Sequence, residues 1–148
     1  MSVECWSGVM ATALFACRHN AGRSQMSAAL SARAAGGRHE ALSAGTTPAR
    51  RVHAEVVEVM REPGFELDLA DRTPQRLTRD LAGAADVVVT MGCGDECPFI
   101  AGKRYIDWDL PDPKGRPLHE VRATRDDIAG RVAALVAELD RESARASG

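Results

Sequence analysis

Aromatic side chains are scarce. Trp, Tyr and Phe together number six in 148 residues, and none falls between residues 16 and 64. An aromatic-lined cleft built from the first half of the chain is therefore not expected. No long hydrophobic run is present either: the longest mostly apolar stretch, Gly8 to Cys17, has ten residues and stops at Arg18, about half of what a membrane span needs. Neither sign of charge dominates, with 19 Lys and Arg against 21 Asp and Glu, so the overall balance draws the protein toward neither nucleic acid nor an anionic membrane. Internal repeats and low-complexity tracts are missing, and the 13 Gly and 7 Pro are scattered. Cysteine is sparse and unevenly placed, at 5, 17, 93 and 97, which is not the pattern of a disulfide-stapled secreted domain. Residues before Cys17 include Glu4 but no Lys or Arg, so the basic start of a signal peptide is lacking and a cytoplasmic protein is expected.

What is there suits one ordinary domain. A chain of this length buries roughly 70% of its unfolded surface and needs no metal to fold. Residues 1–12 read as a lead-in, 13–141 as the domain and 142–148 as a tail. Ala13 to Cys17 is a short buried-strand run, followed by a polar loop and a helix over Gln25 to Ala35 that Gly36-Gly37 stops. Glu40 to Ser43 and Asp86 to Met91 read as further strands, and Arg104 to Asp109 alternates in strand fashion. Helices are expected over His53 to Arg61, Pro74 to Leu81 and Val121 to Arg141, with Leu67 to Leu69 extended. Strands alternating with helices imply an α/β fold around a parallel sheet covered on both faces. Ligands of such sheets bind beyond the carboxyl ends of the strands, where the loops 17–24, 92–98 and 110–117 lie.

The first of these loops reads Cys17-Arg18-His19-Asn20-Ala21-Gly22-Arg23-Ser24. A short loop between a strand and a helix N-terminus can turn its amide groups inward and cradle a tetrahedral oxyanion, with the helix dipole behind it. Arg23 supplies a bidentate fork, Gly22 the backbone freedom, and Cys17 a sulfur below the centre of the anion. The same dipoles favour a thiolate, to which Ser24 can add a hydrogen bond. Cys17 and Arg23 are the primary candidates, and residues 18 to 24 the oxyanion-binding set.

The Cys-x5-Arg-Ser loop resembles that of the low-molecular-weight tyrosine phosphatase superfamily, and residues 19–26, His-Asn-Ala-Gly-Arg-Ser-Gln-Met, look most like its arsenate reductase branch. Ser43-Ala44-Gly45, the stretch from Thr90 to Pro98, and Trp108-Asp-Leu-Pro-Asp112-Pro113 extend the likeness over nearly all of residues 13 to 140. The resemblance implies a single α/β domain with a four-stranded parallel sheet flanked by helices. It implies that Asp112, in the Asp-Pro pair, protonates the leaving oxygen; alone, an Asp before Pro merely opens a turn. It also implies arsenate as substrate, with phosphate and sulfate as competing oxyanions. Cys93 and Cys97 would then relay electrons: Cys93 resolves the Cys17 arseno-adduct, and Cys97 resolves the Cys17–Cys93 disulfide. The spacing Cys93-Gly-Asp-Glu-Cys97 is shorter than in the best-known thioredoxin-coupled pattern and resembles actinobacterial relatives. Thioredoxin, or mycothiol with its mycoredoxin, is accordingly the expected reductant. A phosphatase using Cys17, Arg23 and Asp112 alone is the competing expectation.

No cofactor is expected. Zinc at Cys93 and Cys97 would need a second ligand pair, which the sequence lacks. Ala28 stands where some relatives place a Glu that helps bind potassium, so no ion site is expected there. Cys5 reads as an incidental thiol, His39, His53 and His119 as surface residues, and Tyr105 and Trp108 as packing.

Overall fold

The computed structural model describes residues 8–93, 97 and 100–147. Cys5 lies outside the described residues. Four strands form one parallel sheet: β1 (Thr12–Cys17), β2 (Glu40–Gly45), β3 (Val87–Met91) and β4 (Arg104–Asp107), ordered β2-β1-β3-β4. Around it lie α1 (Arg23–Ala35), α2 (Ala54–Met60), α3 (Arg79–Ala84) and α4 (Leu118–Ser147). The four-stranded parallel α/β arrangement is the one expected.

The period of two along β1 divides the core. Ala13, Phe15 and Cys17 face one layer with Met26 of α1, Val56 and Val59 of α2, and Ile128, Val132 and Leu135 of α4. Leu14 and Ala16 face the other with Ala44, Leu77, Ala82, Ala85 and Val88. Both faces of the central strand are thus covered, which is why β1 and β3 read as nearly continuous apolar runs. Asn20, Ala21 and Ser24, just beyond β1, are completely buried, so the loop at its carboxyl end is part of the packed interior.

Several local expectations need correcting. The helix expected over Pro74 to Leu81 is only Arg79–Ala84, N-capped by Thr78, whose side chain accepts the Leu81 N–H at 3.1 Å. The residues before it are drawn into extended pairing with the end of β2: Gly45 N–H donates to Gln75 O, and Leu77 N–H to Gly45 O. Strand β2, expected to end at Ser43, accordingly runs on to Gly45. Strand β4 stops at Asp107, and Leu67 to Leu69 joins no ladder. His39 is buried: its Nδ1 accepts the Ala11 N–H at 3.1 Å and its Nε2 donates to Asp140 Oδ1 at 2.8 Å, tying the start of β1 to α4. Arg38 makes two further bonds to Asp140. Helix α4 runs on past Arg141, and Glu142 within it pairs with Arg104 of β4.

Candidate active site

The loop from Cys17 to Arg23 is held from outside through its carbonyls. Cys17 O accepts from Thr46 N, Arg18 O from Thr47 N, His19 O from Ala49 N and Ala21 O from His53 N, at 2.7 to 3.2 Å. Asn20 O accepts from Gln25 Nε2, and Gly22 O takes the first helical bond, from Met26 N. Across a trans peptide the next N–H points opposite to the carbonyl, so turning these carbonyls outward turns the following amides inward. One is seen directly: the Asn20 N–H donates to Cys17 Sγ at 3.3 Å. The concave side therefore offers an anion both the amides and the N-terminus of α1.

Hydrogen-bond roles around the sulfur follow from the donors. Gln75 N–H can only donate, and it reaches Asn20 Oδ1 at 2.9 Å, which leaves Asn20 Nδ2 to donate to Ser24 Oγ at 2.7 Å. The Ser24 hydroxyl proton is then free to point at Cys17 Sγ, 2.9 Å away. Asn20 sits in the left-handed region at φ 52, a conformation that asparagine tolerates better than most residues and that this network holds in place.

Space around the loop is set by two glycines. A Cβ on Gly45 would lie 2.7 Å from Arg18 O and 2.8 Å from Asn20 N, so β2 can press against the loop only there. On Gly22 it would lie 2.7 Å from Pro113 Cγ, so the Asp112-Pro113 turn rests directly on the cradle. Arg23 is buried, and its Nη1 donates to Leu110 O at 3.1 Å while Nη2 lies 3.9 Å from Asp112 Oδ2. Asp112 itself is half-exposed, and its Oδ1 accepts the Lys114 N–H at 3.0 Å, closing an Asp-Pro turn.

Of the sequence-predicted set, Cys17, Asn20, Gly22, Arg23, Ser24 and Asp112 thus converge. Arg18 is exposed, and His19 directs Nδ1 at Thr47 O. Cys93 and Cys97 form a disulfide, with Cα atoms 5.6 Å apart, while Cys17 is a free thiol. Cys93 is buried, and it packs in the layer with Leu14 and Ala16, on the face of the sheet opposite Cys17. His119 is exposed as expected, but His53 is half-buried beside Gly22. Burial pushes its pKa below the ordinary histidine value, outweighing the opposite pull of Asp112 and Glu55. Among the described residues no group of three or more potential metal ligands occurs. No described helix is long and apolar enough to cross a membrane.

The family model of the low molecular weight phosphotyrosine protein phosphatases matches residues 12–145. The chain belongs to this family. Within it, the chain is 44% identical over 131 residues to a Halobacterium salinarum protein provisionally named an arsenate reductase, covering 85% of this chain and 91% of that one. It superposes on the thioredoxin-dependent arsenate reductase of Corynebacterium glutamicum with a TM-score of 0.76 at 39% identity, over 90% of its own length. This chain spans only 63% of that one. An arsenate reductase solved in a phosphate binding state also superposes with a TM-score of 0.76, at 29% identity, over 88% of this chain and 99% of that one.

Sequence reasoning missed the residues that support the cradle rather than line it. Gln75 and Leu110 act through their own backbone N–H and C=O, and Glu55 through a carboxylate that accepts the Gly115 N–H 60 residues away, so no local side-chain pattern encodes these contacts. Gly45 stands in the Ser43-Ala44-Gly45 stretch noted for its resemblance, but its use, close approach to the loop backbone, becomes visible only in the structure.

Proposed function

We propose that the protein reduces arsenate to arsenite through Cys17, Cys93 and Cys97. The observation that carries the reading is the thiol inventory of the site: a reduced Cys17 in an oxyanion cradle, with Cys93 and Cys97 joined as a disulfide in the loop after β3. This is the state in which one turnover of such a relay would leave the enzyme. The curated relatives and solved neighbours named for the same reaction support it.

The Cys17 thiolate attacks arsenic(V), seated on the loop amides and Arg23, while Asp112 gives its proton to the departing oxygen, which leaves as water. Cys93, which must leave its packing against Leu14 and Ala16 to reach the cradle, then attacks as a thiolate the sulfur of the Cys17–arsenic adduct. The S–As electron pair stays on arsenic, which leaves as arsenite, and a Cys17–Cys93 disulfide forms. Cys97 attacks Cys93, expelling the Cys17 thiolate and leaving the Cys93–Cys97 disulfide. An external dithiol supplies the two electrons that reopen it. Because Cys97 is the more exposed of the two sulfurs and Cys93 is buried, attack at Cys97 is favoured. Thioredoxin is the preferred donor over mycothiol and mycoredoxin, given the C. glutamicum relative. A cytoplasmic setting, where such dithiols stay reduced, fits the cycle. Phosphate and sulfate should compete at the cradle.

A plain phosphatase would need only Cys17, Arg23 and Asp112 and would leave the cysteine pair without use. The test is the thiol series. Cys97→Ser should release about one arsenite per enzyme and stop as a Cys17–Cys93 disulfide, seen by non-reducing peptide mapping. Cys93→Ser should release none, and Cys17→Ser should be inert. Wild-type turnover by both Cys93→Ser and Cys97→Ser, with thioredoxin as sole reductant, would overturn the relay.

A further inference from the structure

The turn that carries Asp112 is fastened on two sides. Upstream, Leu110 is buried and its carbonyl accepts from Arg23 Nη1. Downstream, the Gly115 N–H donates to Glu55 Oε2 at 2.8 Å, joining residues 60 apart. Gly115 sits at φ 71, in the left-handed region, so the chain turns at the point where its amide is presented to Glu55. Between the two fastenings lie Asp112, Pro113, which rests on Gly22, and the Asp112–Lys114 bond, which stays within the turn. Glu55 lies in the first turn of α2, two residues after His53, whose own N–H holds Ala21 of the cradle. One short stretch of chain thus grips both the oxyanion loop and the acid loop.

We propose that Glu55 is a positioning residue for the general acid, fixing the Asp112 carboxyl over the cradle by holding Gly115. The inference rests on the reading of Asp112 as the acid. A purely structural role fits less well, because α2 is anchored by Val56, Val59 and Met60, all fully buried, whereas the Glu55–Gly115 bond is exposed and joins a surface turn to a helix end. Losing it would leave residues 111–115 held by the Arg23–Leu110 bond and the Pro113–Gly22 packing on the cradle side and, further on, only by the join to α4 at Pro117. Misplacing a proton donor by a fraction of an ångström costs rate without costing binding, since the amides and Arg23 hold the anion.

The experiment compares Glu55→Ala, Glu55→Gln, Asp112→Asn and the double variant Glu55→Ala/Asp112→Asn as full chains, after thioredoxin reduction. Single-turnover arsenite release and the affinity for inorganic phosphate are measured across pH, because Asp112, His53, His19 and Lys114 all stand near the turn. Glu55→Ala should slow release roughly five- to tenfold, the loss expected for one solvent-exposed hydrogen bond, with phosphate affinity unchanged. Glu55→Gln should recover much of the rate, because its amide oxygen can still accept from Gly115. In the double variant, Glu55→Ala should add nothing to Asp112→Asn. An unchanged rate in Glu55→Ala, or the same fold loss in both backgrounds, would overturn the inference while leaving Asp112 in its role. Loss of phosphate affinity equal to the loss of rate would overturn it in favour of damage to the cradle. A wild-type rate in Asp112→Asn alone would instead remove the acid assignment, and this inference with it.

Discussion

Two loops meet where Pro113 rests on Gly22, and they are built in opposite ways. Every carbonyl from Cys17 to Gly22 accepts a hydrogen bond, and residues 20–24 are buried. Over residues 110–117, by contrast, Lys114 to Pro117 are exposed and the Asp112 side chain is 45% exposed. That second loop meets the site through one Arg23 bond, one Glu55 bond and the packing of Pro113 on Gly22. The contrast matches the tasks proposed for them. An oxyanion cradle stabilises charge best when its dipoles need no reorganisation, whereas an acid must meet solvent to recover its proton. The cradle is fixed by backbone and the acid by a few side chains.

Substitutions can test how separate the two really are. The largest effect should come from Gly45→Ala, because the added methyl meets Arg18 O, Asn20 N and His19 C, backbone atoms that cannot step aside. We expect a loss of about 3 kcal/mol in urea unfolding and no measurable phosphate binding by calorimetry. Normal binding by this variant would mean the cradle is less rigid than its hydrogen bonds imply. Asp112→Asn should come next, keeping phosphate affinity while slowing single-turnover arsenite release by roughly 10² to 10⁴. A parallel loss of affinity would show the two loops to be one unit. Smaller again should be Gly22→Ala, whose methyl meets first the Pro113 ring and then, at 3.5 Å, the His53 side chain. The turn can yield, so we expect about a tenfold slower release with phosphate affinity kept.

The same contrast explains what could be read from the sequence. The cradle is local: a strand, a glycine, an arginine and a helix start within eight residues, each with a type-specific reason to be there. Long-range contacts left no such trace. Leu77 and Leu81 fit a helical spacing, yet Leu77 is extended because its backbone pairs with Gly45, and that pairing has no side-chain signature. His39 follows Gly-Gly-Arg and reads as surface, but Asp140, 101 residues away, makes its burial possible. Cys93 shows a subtler limit. Strand alternation carried past Met91 would put it on the face of Cys17, but Gly92 at φ 85 breaks the period, and Cys93 packs with Leu14 instead. A Cβ at Gly92 would also stand 2.5 Å from Arg23 Nη1, so that break and the seat of the arginine are made by the same residue.

The smallest expected effect concerns stability against pH, and it separates the start of α2 from the ion-paired carboxylates elsewhere in the fold. Burial holds the His53 pKa below its unfolded value. Between the two values the unfolded chain carries the extra proton, so stability is full above the ordinary histidine range and falls as pH drops through it. A second decline belongs to acid groups. Asp140 is held below the usual carboxylate range by its Arg38 bond and then by His39, and Asp68 by the Ala70 amide and Arg61. Their contribution is present above the unfolded carboxylate value and is lost only as pH falls through the depressed native one. Thermal melts should therefore weaken in two separate steps on acidification. His53→Gln should erase the upper step and leave the lower, because glutamine brings no titrating group to the start of α2. Asp140→Asn should do the reverse, reducing the lower step while the upper one persists. If His53→Gln left both steps in place, the imidazole beside Gly22 would not be the group that senses the first proton, and the start of α2 would act on the site only through the His53 N–H and Glu55.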